Sequence, residues 1–342
     1  MVNDLETLNG VVLYGAHGIY DVHTDDGVLR CTLRGKLKKA FAQSPKLSGK
    51  ARVRLDKLVD VSSSQRMEKH ESSTTTLLTR LSVGDHVRLR RLDAHTGLIE
   101  EILPRQNALT RKDASSTDKK AIQQTLLANL DQVVIVFATA QPQPHFGLLD
   151  RYLIICESAK LSSLICFNKA DLEHERYVDE AAELYSRLGY RVIWTSTLTG
   201  EGIDYLRSLL KDHTSLFTGS SGVGKSSLVN AIEPTMAIRT RMVSEVTGKG
   251  RHTTTSSQLY PLACGGWLAD SAGIRALAAW DIPVQELGWC FVEFRPYLGE
   301  CEYADCSHID EKGCAIRQAV EDQLIDEHRY KSYVRIYLGE ER

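Results

Sequence analysis

Gly219-Ser220-Ser221-Gly222-Val223-Gly224-Lys225-Ser226, preceded by the apolar Ser215-Leu216-Phe217-Thr218 and followed by Ser227-Leu228-Val229-Asn230-Ala231-Ile232, matches the phosphate-loop pattern GxxxxGK[ST] at every position. The flanks predict a strand over 215–218 and a helix over 225–232, the context in which that pattern works. Its glycines let the backbone N–H groups turn inward around phosphates, and the helix N-terminus adds a favourable dipole. Gly219 through Ser227 are therefore the candidate nucleotide contacts. Within them Lys225 is placed for the β and γ phosphates, and the Ser226 hydroxyl for Mg2+. A glycine-rich turn without function is the plain alternative, and the agreement of pattern with context argues against it.

Outward from this loop, apolar strand candidates (133–138, 164–168, 192–195, 215–218, 267–269) alternate with amphipathic helix candidates (148–158, 178–188, 203–210, 225–232). Such alternation predicts an α/β domain, a parallel sheet covered by helices on both faces. Asn168-Lys169-Ala170-Asp171 follows one of these strands. The Asp171 carboxylate can accept from the ring N–H and exocyclic amine of guanine, a pair that adenine does not present. Lys169 can lie over the base and Asn168 can brace the loops. Ser196 and Thr197, at the end of the next strand in Thr195-Ser196-Thr197, form the expected second wall of the base pocket.

Asp270-Ser271-Ala272-Gly273 ends a further strand and fits DxxG, in which the Asp holds Mg2+ through water and the Gly N–H meets the γ phosphate. Upstream, Gly250-Arg251-His252-Thr253-Thr254-Thr255 lies in an aperiodic stretch rich in Gly, Thr and Ser. This is expected of a switch loop ordered by Mg2+ and the γ phosphate, with Thr253 as the Mg2+ contact; a threonine-rich surface loop is the alternative. The guanine motif and pocket wall precede the phosphate loop, the reverse of the usual order. Circular permutation accounts for this, since sheet packing does not depend on where the termini are cut.

In this order NKAD, GSSGVGKSS, GRHTTT and DSAG, with Leu148-Leu149-Asp150-Arg151-Tyr152-Leu153 ahead of them, make the chain resemble the circularly permuted GTPase family called RsgA or YjeQ. The resemblance covers nearly the whole chain. It implies an N-terminal OB-fold barrel, a permuted GTPase domain and a C-terminal helical zinc-binding domain. It also implies GTP hydrolysis stimulated by the small ribosomal subunit, with rRNA as a contact. Ile274 stands where a water-orienting glutamine would follow DxxG and cannot serve; by the same resemblance His252 takes that role, with a surface histidine as the alternative. Ala272 stands where the family usually has Pro, leaving both functional ends of the motif in place.

Cys301-x4-Cys306-x-His308-x5-Cys314 supplies three thiolates and an imidazole within 14 residues. Four such ligands with no open position fit one structural, tetrahedral Zn2+. The other cysteines, Cys31, Cys156, Cys166, Cys264 and Cys290, are scattered, and core packing is the expected role for most of them.

The chain has 342 residues, 42% hydrophobic and 25% charged, with a net charge of -2, which predicts two or three ordinary globular domains. The average hides a gradient: residues 30–57 hold ten basic side chains against one acidic, and residues 281–342 hold 14 acidic against seven basic. A polyanion-facing N-terminal part or a solvated lysine-rich loop both fit. Short alternating segments up to about residue 103 read as a small β-barrel, interrupted by a polar stretch over about 36–82 expected to be a mobile loop. The predicted domains are 1–105, 106–278 and 279–342, with 104–120 as a link. Neither a signal peptide nor an apolar span is legible, so a cytoplasmic monomer with no membrane partner is expected. Two functions fit: a GTP-hydrolysing assembly factor of the small ribosomal subunit, released on hydrolysis, or a nucleotide-gated RNA-binding or translation regulator in which hydrolysis is incidental.

Overall fold

A computed structural model describes residues 6–38, 81–112, 123–235, 257–270 and 282–340. The chain divides into two compact units, one of residues 1–105 and 110–128, the other of residues 106–109 and 129–342.

The first unit contains β1 (Thr7–Ala16), β2 (Ile19–Thr24), β3 (Gly27–Leu33), β4 (His86–Arg91) and β5 (Thr96–Ile102). They close into a barrel in the order β1-β2-β3-β5-β4, with β3 and β5 parallel and β1 closing antiparallel on β4. This is the five-stranded OB-fold barrel. Period-two alternation produces it: Leu29, Cys31 and Leu33 point inward from β3 while Val28, Arg30 and Thr32 face water. Val12, Val22, Val87, Leu89 and Ile99 fill the interior with them. The turn before β4 is held by Asp85, which is fully buried and takes two hydrogen bonds from Arg105, at 2.6 and 2.7 Å. Gly84 in that turn has φ +86°, and a Cβ there would lie 2.1 Å from the Ala128 carbonyl oxygen, so only glycine fits. Among the basic residues of 30–57, Arg30 pairs with Asp21 and Arg34 with Glu100; residues 39–57, like the polar stretch to residue 80, lie outside the described residues. Part of the expected link forms β6 (Ala108–Lys112), which pairs with β7 (Gln123–Ala128) as a two-stranded ribbon.

The second unit is built on a six-stranded sheet of order β10-β9-β8-β11-β13-β12. Its strands are β8 (Gln132–Ala138), β9 (Ser162–Asn168), β10 (Arg191–Thr195), β11 (Thr214–Thr218), β12 (Gln258–Pro261) and β13 (Trp267–Asp270). All pairings are parallel except that of the edge strand β12 with β13. The central strand β8 is buried from Val133 to Ala138, as a strand covered on both faces must be. From β8 the chain steps outward to β9 and β10, then returns to the other side of β8 as β11. The neighbouring strands β8 and β11 thus flank a topological switch point, where the carboxyl ends of parallel strands open a crevice.

Helices α1 (Phe146–Ser158), α2 (Arg176–Arg187), α3 (Ile203–Leu210) and α4 (Lys225–Ile232) connect these strands. In α2 the buried Val178, Ala182 and Tyr185 recur at helical spacing, leaving a charged outer face. Helix α1 lacks such a face: Leu149, Asp150 and Tyr152 through Cys156 are all buried. It packs on β8 and β9 and also on the C-terminal elements, so it is covered from two sides. Those elements are α5 (Val284–Leu287), two 3-10 turns over Gly288–Cys290 and Val292–Tyr297, α6 (Ala315–Glu321) and α7 (Glu327–Leu338). Burial pushes the Cys31 and Cys290 thiols up to about 11 and those of Cys156 and Cys166 to about 12, the behaviour of core residues.

One buried ion cluster ties α1 to the C-terminal elements. Arg329 of α7 is 1% exposed and donates to Asp150 of α1 at 2.5 Å and to Glu293 at 2.6 Å, with its guanidinium 4.6 Å from the centre of the Phe291 ring. Tyr185 of α2 donates to the same Asp150 oxygen at 2.6 Å. Burial opposes the Arg329 charge, but Asp150 and Glu293 outweigh it and hold its pKa well above the ordinary value. Removing the cation strands two carboxylates away from water. Arg329→Met is expected to cost about 3–5 kcal/mol, read from a lower urea midpoint; a loss below about 1 kcal/mol would place this cluster with ordinary surface pairs.

Candidate functional site

Five strand ends meet along the carboxyl edge of the sheet, and the motifs of the sequence sit on them. Thr218 of β11 leads into the phosphate loop, Asn168 ends β9, Thr195 ends β10 and Asp270 ends β13, its backbone paired with Gln258. Two of the loop's three glycines are required by contact as well as by backbone angle. Gly219 has φ +136°, and a Cβ there would stand 2.1 Å from the Val136 carbonyl oxygen on β8. Gly224 has φ +97°, and a Cβ there would stand 2.3 Å from Nδ2 of Asn168.

That second approach joins two motifs distant in sequence. Asn168, 1% exposed, donates from Nδ2 to the Val223 carbonyl at 2.9 Å and accepts at Oδ1 from the Thr195 hydroxyl at 3.1 Å. One side chain therefore braces the phosphate loop and the next strand together. Lys169, in the left-handed region at φ +62°, turns the chain and donates from Nζ to the Gln141 carbonyl. The Ala170 N–H donates to the Thr195 carbonyl at 3.0 Å. Asp171 is exposed and accepts from the Ser196 hydroxyl, which in turn accepts from the N–H groups of Leu198 and Thr199, both at 3.2 Å. Thr197 is exposed beside them.

Helix α4 begins at Lys225 with Gly224 as its N-cap and no side-chain cap bond, a helix start of the kind that receives anions. Lys225 curls back and donates from Nζ to the carbonyls of Gly219 at 2.7 Å and Ser220 at 2.6 Å. Ser221, Gly222, Ser226 and Ser227 are exposed along the loop and first turn. The structure thus brings Asn168, Lys169, Asp171, Ser196, the phosphate loop and the end of β13 to one edge. His252, Thr253 and Gly273 lie outside the described residues.

The C-terminal cluster forms a separate centre. The ligand atoms of Cys301, Cys306, His308 and Cys314 all lie within 4.8 Å of one another. Nδ1 of His308 is 3.5 Å from the Cys301 sulfur and 3.6 Å from the Cys314 sulfur, and those two sulfurs are 4.0 Å apart. A tetrahedron with metal–sulfur bonds of about 2.3 Å has edges of about 3.8 Å, so the donor set and its spacing fit zinc. Burial, with the neighbouring Cys314 and Cys301, pushes the Cys306 thiol up to about 12 without a cation, as expected where sulfurs crowd. The surroundings of the centre were not legible as motifs. Tyr330 and Tyr333 of α7 donate to the His308 and Ser307 carbonyls, both at 2.8 Å, and Glu311 accepts from the Ser307 N–H at 2.8 Å. Their only sequence signal is proximity to the cysteines and the aromatic spacing of α7.

Comparison with known proteins agrees with this geometry. A family model described as RsgA GTPase matches residues 102–280. A relative from Gemmatimonas aurantiaca, named small ribosomal subunit biogenesis GTPase RsgA, is 38% identical over 96% of this chain and 95% of its own. A relative of the same name from Caldanaerobacter subterraneus is 34% identical over 96% of this chain and 95% of its own. Among solved structures, YjeQ from Thermotoga maritima superposes with TM-score 0.72 at 31% identity, covering 98% of both chains. YloQ, described as a circularly permuted GTPase, superposes with TM-score 0.68 at 27% identity, covering 99% of this chain and 96% of its own.

Gly219→Ala would drive a methyl group into the β8 carbonyl and force the phosphate loop to shift. Nucleotide turnover is expected to fall about 10²-fold in kcat/KM, measured by phosphate release. Unchanged kinetics would show that the loop tolerates displacement from β8.

Proposed function

The chain belongs to the RsgA GTPase family, and from that premise we propose that it is a GTP-hydrolysing factor in maturation of the small ribosomal subunit. The observation that carries this reading is the Asn168 to Val223 hydrogen bond. It joins a guanine-recognition loop to a phosphate loop in an order along the chain that only a permuted GTPase needs.

In this reading the guanine base is held by Asp171, with Ser196 and Thr197 as the facing wall and Lys169 over the ring. The N–H groups of residues 219–227 receive the phosphates. Lys225 exchanges its two loop carbonyls for phosphate oxygens, so the cradle keeps its lysine satisfied before and after binding. Ser226 and Thr253 would hold Mg2+, with Asp270 behind it through water; the ion supplies neutralising charge for the phosphates. The Gly273 N–H would meet the γ phosphate, and His252 would orient the attacking water. GTP would hold the switch segments and the C-terminal part in a ribosome-binding arrangement that hydrolysis releases. The three-part division at 1–105, 106–278 and 279–342 assigns rRNA contact to the barrel, hydrolysis to the α/β domain and subunit docking to the cysteine-bearing module. No helix among the described residues is long and apolar enough to cross a membrane; the cytoplasmic place of action follows from the proposed work on the small ribosomal subunit.

The test is GTP turnover with purified small subunits, with large subunits as control. Stimulation of at least about tenfold by the small subunit alone is expected, in the range that a completed catalytic constellation supplies; equal rates with both would remove the assembly role. For the metal, one tightly held Zn2+ per chain is expected, because a small module gains folding energy from it. Cys306→Ser is expected to lower the bound zinc well below one per chain by elemental analysis and to open the module to protease. Retention of full zinc would exclude Cys306 as a ligand.

A further inference from the structure

The guanine loop is clamped along three directions, and only two of them involve recognisable motifs. Toward β10 it is held by Ala170 and Asp171 on Thr195 and Ser196, and toward β11 by Asn168 on Val223. The third side faces the end of β8, where Lys169 Nζ reaches the Gln141 carbonyl and one residue makes the two contacts to the loop's backbone. Thr139, the first residue beyond β8 and 1% exposed, donates its N–H to the Asn168 carbonyl at 3.0 Å and its hydroxyl to the Lys169 carbonyl at 2.8 Å. Lys169 is the residue at φ +62°, a conformation that a side-chain-bearing residue holds only when its surroundings fix it. The hydroxyl bond acts on the peptide that follows this strained residue, the same peptide whose N–H is tied to Thr195 from the other side. The Lys169 carbonyl also accepts from the Leu172 N–H at 2.9 Å, so loss of the hydroxyl leaves it one donor of two and removes the bond that ties the turn to the end of β8.

We propose that Thr139 is a positioning residue for guanine specificity, fixing the left-handed turn at Lys169 that aims Asp171 at the base. This rests on the reading of Asp171 as the guanine contact. No side chain other than threonine or serine supplies a hydroxyl at the end of β8 without adding bulk to a buried position. The two hydrogen bonds that Thr139 donates both go to the guanine loop, and the hydroxyl bond goes to Lys169 and not to Asn168, which braces the phosphate loop, so the loss of the hydroxyl falls on base recognition.

The experiment is titration of the full-length protein with GDP and with ADP, read by displacement of a fluorescent nucleotide. Thr139→Val keeps the branching and removes the hydroxyl; Thr139→Ala carries the same test should the valine variant not fold. Either is expected to lower the GDP over ADP preference about tenfold, with ADP binding unchanged, and Thr139→Ser is expected to restore it. Equal loss of GDP and ADP binding, or a serine variant as impaired as the valine one, would overturn the proposal by making the role one of general stability. Asp171→Asn in the same assay separates the two readings. If it abolishes the preference while Thr139→Val does not, Thr139 alone fails; if it leaves the preference intact, the base-pocket assignment fails first.

Discussion

Parallel pairing is the constraint on which the site depends. In a parallel sheet every strand leaves by the same edge, so the ends of β8, β9, β10, β11 and β13 meet whatever their order along the chain. Motifs separated by up to a hundred residues become neighbours because the backbone hydrogen-bond ladder leaves them nowhere else to end. The reversal of strand order at β8 and β11 opens the crevice, and Asn168 closes the gap between its two halves with one amide. The permuted order is thus permitted by the same geometry that makes the site.

A second interaction decides what α1 can be. Its thirteen residues carry little outward polar face, because the sheet covers one side and the C-terminal elements the other. The cost of burying Asp150 there is offset by Arg329, which also satisfies Glu293 and lies over Phe291. One turn before Asp150 the same helix begins with Phe146, packed edge-on against Phe167 of β9 and Tyr177 of α2. One helix therefore touches the strand that carries the guanine motif and anchors the module that carries the cysteines. That module has an apolar core around Phe291, Phe294, Ile316 and Tyr333, and its cysteine-bearing loop is held in addition by sulfur, imidazole and the carboxylate of Glu311.

Much of this was legible beforehand, for identifiable reasons. The strands and helices of the α/β region fall within two residues of their expected places, since long apolar runs and 3.6-residue periods are local signals. The phosphate loop and the cysteine cluster were legible because glycine and thiolate chemistry at fixed spacing has few other uses. Strand β12 was missed, its four residues being too short to show a period. Strand β6 falls inside the expected link and β7 just beyond it, and neither shows in the sequence because a turn-rich neighbourhood masks two brief alternating runs.

The sequence by itself determined the fold class, the permuted order and the identity of the chemical groups, because each is written in residues close together in the chain. Only the tertiary structure decided which partners those groups find. Nothing local in Leu148-Leu149-Asp150-Arg151 says that Asp150 turns inward to meet Arg329, and nothing in Ala138-Thr139-Ala140 says that this hydroxyl reaches Lys169. Such contacts depend on how strands register and helices pack, which is a sum over many distant residues and leaves no mark at the positions that benefit.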